Sequence, residues 1–278
     1  MSHPQTLATL NNARFAQPPE HTTPRVAVAL SGLHAFTARL SSLGKLSGEE
    51  VDLLRGLGRF PRSHAPGMEI GAEAKPGMAR IVVSGWACRQ RVLGDGRRQI
   101  LNLILPGDVI GNLEQPELPC EDSLVALTQL VTADASALVK AIASGDPAYR
   151  GLARAARLLA RHETALMRDQ IVRLGRQTAY ERMVHFMLEL HARSRLAGMA
   201  SEDAFPMPLT QEVLSDCLGL SVVHVNRTLQ QIRRDGLLQI GAGRVKILDL
   251  TLMQTVADWS PVAIEPNAGA SRGWASPA

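Results

Sequence analysis

Residues 209–238 constrain the fold of this chain more than any other stretch, because they predict two short helices joined by a tight turn. Thr210 can cap the first helix by accepting a hydrogen bond from a backbone N–H of the first turn. Gly219 is placed to end that helix, since glycine enters the left-handed conformation without a Cβ penalty. Ser221 can cap the second helix, so the chain reverses its direction within a few residues.

The second predicted helix has an apolar face and an opposite polar face. Val225, Leu229 and Ile232 fall at i, i+4 and i+7, a spacing that predicts burial on one side. The other side combines guanidinium, amide and methyl groups, which are the chemistries that read guanine, adenine and thymine in the major groove. An Arg/Gln stripe alone is equally typical of a solvated helix face, so the prediction of DNA reading needs its context. The outward residues are Val223, Arg227, Gln230 and Arg234.

Residues 239–246, QIGAGRVK, supply that context. Gly241 and Gly243 separate Ile240 from Val245, a pattern typical of two short strands joined by a tight loop. A capped helix, a glycine turn, a second helix and a hairpin together predict a winged helix-turn-helix.

This stretch resembles the CRP/FNR superfamily of bacterial transcription regulators, and the match over residues 209–238 contains no gap. The resemblance implies an α+β fold with an N-terminal antiparallel β jelly-roll sensor domain, a long dimerisation helix and a C-terminal winged helix-turn-helix domain. It also implies a homodimer on a near-palindromic double-stranded DNA operator, and contact with RNA polymerase if the protein is an activator. No catalytic residue, metal or cofactor is expected, and the effector is unknown.

The resemblance assigns roles within the motif by position. Val223, Arg227 and Gln230 match base-facing residues of the family. Many members carry Arg-Glu where this chain has Val222 and Val223, so the acidic reader of cytosine is absent and the operator should differ from that of cyclic-AMP-responsive members. Thr210, Gln211, Ser221 and His224 match positions near phosphates. The predicted DNA-binding set is Thr210, Gln211, Ser221, Val222, Val223, His224, Arg227, Gln230 and Arg234.

Residues 60–131 consist of short apolar runs separated by Pro-Gly and Gly-Asp-Gly turns, a texture that predicts an antiparallel sandwich or barrel. A short helix should precede them, with Ser47 and Glu50 in capping-box spacing. The family resemblance continues through VVSGWACR and DGRRQILNLILPGDVIG, and we place the jelly-roll sensor domain at residues 40–145. The apolar runs are 81–83, 86–92 and 100–105.

Asp146 and Pro147 can begin a long helix over residues 147–174. A seam of leucines every seven residues predicts that this helix pairs with a partner helix, whereas packing against its own domain is the alternative. We expect a hinge at Gly175 and the DNA-binding domain at residues 176–258. The leucine seam is Leu152, Leu159 and Leu166, beside a row of Leu158, Ala165 and Val172.

The ends of the chain are poor in residues that can form a core, so residues 1–25 and 260–278 are expected to be a disordered arm and tail. The net charge of +4 suits a nucleic-acid partner without requiring one. The sequence shows neither a secretory signal nor an apolar run long enough to span a membrane, which predicts a cytoplasmic protein.

The residues aligned with a cyclic-nucleotide site differ from those of cyclic-nucleotide-binding relatives. Counted from Gly111, Asn112 replaces the Glu that holds the ribose, and Asp122 with Ser123 replaces the Arg-Ser that holds the phosphate. A carboxylate there should repel a phosphate, so the protein is not expected to be controlled by cyclic AMP or cyclic GMP. Rescue of the phosphate by an arginine from a neighbouring strand is the open alternative. The candidates are Arg89, Arg91, Arg97 and Arg98.

Other sensor chemistries and function classes stay open as alternatives. The three cysteines, Cys88, Cys120 and Cys217, do not form an iron-sulfur motif. Cys120 could sense oxidants, although its acidic neighbours favour an unreactive thiol, and haem could bind through a histidine. A jelly-roll enzyme would need metal ligands, but no histidine occurs between residues 78 and 120. A winged-helix module for protein contacts is the third class, and the salt dependence of DNA affinity would distinguish it.

Overall fold

A computed structural model describes residues 31–59, 61–70, 79–115 and 122–262. Within these residues, the N-terminal half contains three α-helices and seven strands. The predicted arm at residues 1–25, most of the predicted tail and Cys120 lie outside the described residues. The helices are α1 (Ser31–Leu43), α2 (Gly48–Gly56) and α3 (Ser136–Ala143); the strands are β1 (Arg62–His64), β2 (Arg80–Ser84), β3 (Ala87–Val92), β4 (Arg98–Ile104), β5 (Val109–Ile110), β6 (Ser123–Ala126) and β7 (Leu130–Asp134).

The C-terminal half is mainly helical, with one small sheet. None of the described helices combines the length and apolar character needed to cross a membrane. The elements in chain order are α4 (Arg150–Arg176), α5 (Ala179–Leu196), β8 (Ala204–Pro206), α6 (Gln211–Leu218), α7 (Val222–Arg234), β9 (Leu238–Gly241), β10 (Arg244–Ile247) and α8 (Leu250–Val256).

The strands of the N-terminal half form two antiparallel sheets, ordered β1-β7-β2-β5 and β4-β3-β6. Apolar side chains from both sheets meet in one buried cluster that includes Val82, Ala87, Ile104 and Leu124. The sequence-based prediction of an antiparallel jelly roll is therefore confirmed, and with the helical half it gives the predicted α+β fold.

The start of the jelly roll differs from the prediction in one element. The capping box before α2 is confirmed, because Ser47 Oγ accepts from Glu50 N at 3.2 Å and Glu50 Oε2 accepts from Ser47 N at 2.7 Å. Helix α1, which the sequence reading missed, packs on β2. Gly32 permits this close approach, since a Cβ there would lie 2.3 Å from the carbonyl oxygen of Val83.

The long helix was predicted over residues 147–174, whereas α4 begins at Arg150 and ends at Arg176. Asp146 Oδ1 accepts from Ala148 N at 2.8 Å and caps a single 3₁₀ turn that leads into the helix. The expected hinge at Gly175 is wrong, because the helix continues through Gly175 to Arg176. The chain becomes extended at Gln177, where ψ is 145°.

The leucine seam of α4 faces the molecule's own jelly roll. Leu152 and Leu159 are 0% and 3% exposed and lie in a cluster with Phe36 of α1. Pairing of these two leucines with a second helix is therefore wrong, and the alternative of packing within the chain is the one the structure adopts. Apolar groups remain exposed elsewhere on α4, at Met167, Ile171 and Val172.

Candidate nucleic-acid interface

Helices α6 and α7 form the predicted helix-turn-helix through the predicted local contacts. Thr210 Oγ1 accepts from Val213 N at 3.2 Å at the start of α6, and Gly219 ends that helix with φ of 63°. Ser221 Oγ then accepts from His224 N at 3.2 Å at the start of α7. These two bonds satisfy helix-end groups that would otherwise lack partners.

Helix α7 divides into the two predicted faces. Val225 and Ile232 are fully buried, whereas Val223 is 68% exposed. Arg227 and Gln230 are also exposed, and neither has a hydrogen bond or ion pair within the described residues. Their donors and acceptors are therefore available to an external partner such as the edge of a base pair.

The other predicted DNA-binding residues lie at helix ends or along α7. Gln211 and His224 are exposed in the first turns of their helices, while Thr210 and Val222 are half-buried. Arg234 is exposed, but its Nη2 donates to Gln231 Oε1 at 2.8 Å. Helix N-termini present backbone N–H groups and a positive dipole end, so the first turns of α6 and α7 suit phosphate contacts.

Strands β9 and β10 form a wing whose cationic residues the sequence reading did not include. Their two-residue loop is Ala242–Gly243, with φ of 48° and 70°. In β10, Arg244 and Lys246 face solvent, while the alternate residues are buried. The alternation of basic and apolar residues in GRVK could have predicted this exposure, because successive residues of a strand point to opposite faces. Lys246 pairs with Asp203 at 3.4 Å.

Comparisons with known proteins agree on one family. Residues 181–256 match the model of the Crp-like helix-turn-helix domain. The nitrogen fixation regulation protein FixK of Bradyrhizobium diazoefficiens is 33% identical over 177 residues, which cover 63% of this chain and 72% of that protein. The solved structure of FixK2 from Bradyrhizobium japonicum aligns with a TM-score of 0.60 at 27% identity, covering 73% of this chain and 98% of the other. The chain belongs to the CRP/FNR family.

Like the members of this family, it is a DNA-binding transcription regulator. The transcriptional activator protein FnrL of Cereibacter sphaeroides is a further relative, 25% identical over 210 residues that cover 72% of this chain and 80% of FnrL. The relatives are transcription regulators and not enzymes, so they favour a DNA-binding regulator over a jelly-roll enzyme.

The jelly roll of this CRP/FNR regulator holds the first helix of the motif directly. Arg98 Nε donates to Asp216 Oδ2 at 2.7 Å, and Gln99 Nε2 donates to Asp216 O at 2.8 Å. From α4, Gln170 Nε2 donates to Cys217 O at 3.0 Å. The C-terminal end of α6 is therefore fixed from both the sheet and the long helix.

A buried charge cluster, here called the interdomain network, joins the two halves further. Arg193 of α5 donates to Asp108 of the jelly roll at 2.7 Å and to Glu189 at 3.3 Å. Arg39 of α1 reaches Asp108 at 2.9 Å, and Arg173 of α4 reaches Glu189 at 2.8 Å. Burial opposes ionisation of both carboxylates, but the arginines outweigh it and hold each pKa below its ordinary value. No sequence motif indicated this network.

Of the four arginines that could rescue a phosphate, three are paired with carboxylates and the fourth lines a cavity. Arg91 pairs with Asp122 at 2.9 Å, which compensates the carboxylate expected to repel a phosphate. Arg97 pairs with Asp95 and Arg98 with Asp216. Arg89 lines a cavity that also includes Asn112 and Asp122. The repulsion expected from Asp122 is therefore weaker than the sequence argument assumed.

The two cysteines that the structure describes are buried. Burial raises the pKa of the Cys88 thiol to about 12 and places the pKa of Cys217 well above its usual value. The thiolate is the reactive form, so both side chains behave as small core residues at neutral pH.

Proposed function

We propose that this regulator binds a near-palindromic operator as a homodimer, with α7 of each protomer in the major groove. The observation that carries the proposal is the exposed pair Arg227 and Gln230, which have no hydrogen bond or ion pair among the described residues and lie on a helix capped by Ser221. Two-fold symmetry in the protein is mirrored in its DNA, so the half-sites should lie about one helical turn apart.

Base reading follows from the chemistry of the outward face. Arg227 can donate two hydrogen bonds to guanine, and Gln230 can pair with adenine through its amide. Val223 offers only apolar contact, as to the methyl group of thymine. The proposed phosphate contacts are Thr210, Gln211, Ser221 and His224 at the helix ends, with Val222 beside them, and Arg234 and Arg244 at the flanks.

The proposed dimer surface is a stripe on α4 that differs from the leucine seam. Ala160, Thr164, Met167 and Ile171 alternate at spacings of four and three, as in a coiled-coil seam, and Ile171 is 68% exposed. We therefore assign dimerisation to α4, the jelly roll to a sensor role beginning at residue 31 instead of 40, and DNA binding to residues 176–258. If the regulator activates transcription, RNA polymerase is a further partner.

Selection of binding sites from random duplexes tests the proposal. The expected result is a set of near-palindromic sites containing a guanine that depends on Arg227. Asymmetric selected sites would contradict the homodimeric arrangement. Affinity should also fall steeply with salt because phosphate contacts release counterions, whereas a winged helix used for protein contacts would show no such slope on DNA.

We also propose that cyclic AMP and cyclic GMP do not control this regulator. Asn112 Oδ1 already accepts from the backbone N–H groups of Glu114 and Gln115 at 2.8 and 3.0 Å, so it is not a free acceptor for a ribose hydroxyl. Asp122 supplies no countercharge for a cyclic phosphate. Titration calorimetry with each nucleotide should give no saturable binding tighter than about 100 μM. Tighter binding with a change in operator affinity would contradict the proposal.

A further inference from the structure

Two residues of opposite charge, Glu163 and Arg168, flank the exposed stripe of α4. A helix turns about 100° per residue, so five residues place these side chains about 140° apart, one on each edge of the stripe. Both are exposed, and neither makes a hydrogen bond or ion pair within the described residues. Their charges are therefore available to a second molecule. The stripe itself consists of Ala160, Thr164, Met167 and Ile171.

The spacing of the stripe fixes the position of each charge in a heptad abcdefg. With Thr164 at a and Met167 at d, Glu163 occupies g and Arg168 occupies e of the next heptad. Ion pairs between e and g positions of facing helices set the partner and the orientation in coiled coils. In a parallel pair, a residue at g approaches the e residue of the next heptad on the other helix, so these two charges would meet.

We propose that Glu163 forms an ion pair with the partner's Arg168 across the α4 interface. Two-fold symmetry gives the contact twice in each dimer, and together the two pairs would hold the helices parallel and in register. The inference rests on the homodimer proposed above and adds the residues that choose its geometry. A parallel α4 pair also places both winged-helix domains at the same end, as a near-palindromic operator requires.

The opposite orientation is disfavoured by the e edge of the helix. Three successive e positions, Arg154, Arg161 and Arg168, are arginines, all exposed and all without a hydrogen bond or ion pair in the described part of the chain. An antiparallel pair would bring the two e edges together and set arginine against arginine. Repulsion against a wrong arrangement contributes to specificity as much as attraction within the right one.

The pairing has a limit at its N-terminal side. Arg157 occupies the a position one heptad before Thr164 and is exposed. In a closely packed pair the two copies of this guanidinium would meet near the two-fold axis, which is costly without a countercharge. The paired segment should therefore begin at Ala160.

Charge reversal tests the ion pair in the full chain without DNA. Glu163→Arg and Arg168→Glu should each weaken the homodimer at least about tenfold at low salt, because each replaces two attractions by two repulsions. The double variant exchanges the charges and should recover affinity close to that of the wild type. Sedimentation equilibrium measures all four proteins, and the differences should shrink at high salt, where exposed charges are screened.

A mixture of the two single variants provides the sharpest comparison. Their heterodimer joins opposite charges at both contacts, whereas each homodimer joins like charges at both. Native mass spectrometry, with a tag on one variant to separate the masses, should therefore show the heterodimer well above the half that random exchange gives. Random proportions would overturn the ion pair.

Arg161→Glu is the matched control, since it makes the same charge change at the preceding e position, where the facing g residue is Ala156. It should not weaken the dimer, and weakening equal to that of Arg168→Glu would overturn the assignment. Circular dichroism should show every variant folded, because these exposed side chains have no intramolecular bond to lose.

The failure of this inference differs from the failure of the proposed homodimer. A dimeric wild type with single variants of unchanged affinity would overturn the ion pair alone. A wild type that is monomeric at micromolar concentration would overturn both.

Discussion

Helices α4 and α7 carry equally regular apolar patterns, yet the patterns have different meanings in the structure. In α7 the apolar residues Val225 and Ile232 pack inside the winged-helix domain, and the opposite face is exposed. In α4 the heptad leucines Leu152 and Leu159 pack inside the jelly roll, although their spacing resembles a coiled coil. Periodicity therefore indicates which face of a helix is buried, but not which partner buries it.

The largest expected effect is on the free energy of unfolding, and it distinguishes the two apolar surfaces of α4. Leu159→Glu places a charge in the core of the jelly roll, so the free energy of unfolding should fall by about 5 kcal/mol or more. Ile171→Glu, on the exposed stripe, should leave monomer stability nearly unchanged and abolish dimerisation, because two like charges would meet at the two-fold axis. Chemical denaturation and sedimentation of both variants measure these outcomes. A folded Leu159→Glu variant that is monomeric would restore the leucine seam as the dimer interface.

The second largest expected effect is a loss of stability when the interdomain network is broken at Arg173, near the end of α4. Glu189→Ala leaves Arg173 buried without its carboxylate and should cost about 3 to 5 kcal/mol of stability. The double variant Arg173→Met with Glu189→Leu removes both charges and should recover much of that loss. Thermal and denaturant unfolding provide the measurement. Equal destabilisation by the single and double variants would show that packing, not the buried charge, is responsible.

A pH dependence is expected from His162, on the buried face of α4. Burial, followed by the charges of Arg39 and Arg193, lowers the pKa of His162 from 6.5 to about 4. Between these values the unfolded chain binds the proton and the folded chain does not, so stability should decrease as pH falls from 6.5 to 4. The loss is at most about 3 kcal/mol. His162→Leu should flatten this part of the curve, and an unchanged slope would mean that another group titrates.

The sequence predicts elements whose determinants are local. The caps at Ser47, Thr210 and Ser221 and the turn at Gly219 involve groups only a few residues apart, so residue type and spacing are sufficient. The outward face of α7 follows from the same local geometry. The exposure of that face is confirmed, but all of the DNA-binding assignments, including those of the outward face, stay predictions.

The features that the sequence did not reveal depend on distant partners. Arg193 and Asp108 are 85 residues apart, and Arg98 and Asp216 are 118 apart, so no local spacing could link them. Arg91, which pairs with Asp122, lies 31 residues away on β3, which is why the carboxylate alone suggested a stronger repulsion. Helix α1 was missed because its role depends on a contact with β2.

The smallest expected effect is a loss of DNA affinity, and it tests the central claim that the exposed face of α7 reads the sequence of the operator. The measurement is the affinity of the wild type and of Arg227→Ala for the selected operator and for a scrambled duplex of equal length, at one salt concentration. The account predicts a loss of about 1 to 3 kcal/mol on the operator, a smaller loss on the scrambled duplex and unchanged unfolding, because Arg227 makes no hydrogen bond or ion pair within the described chain. Equal losses on both duplexes, or no loss on either, would contradict it.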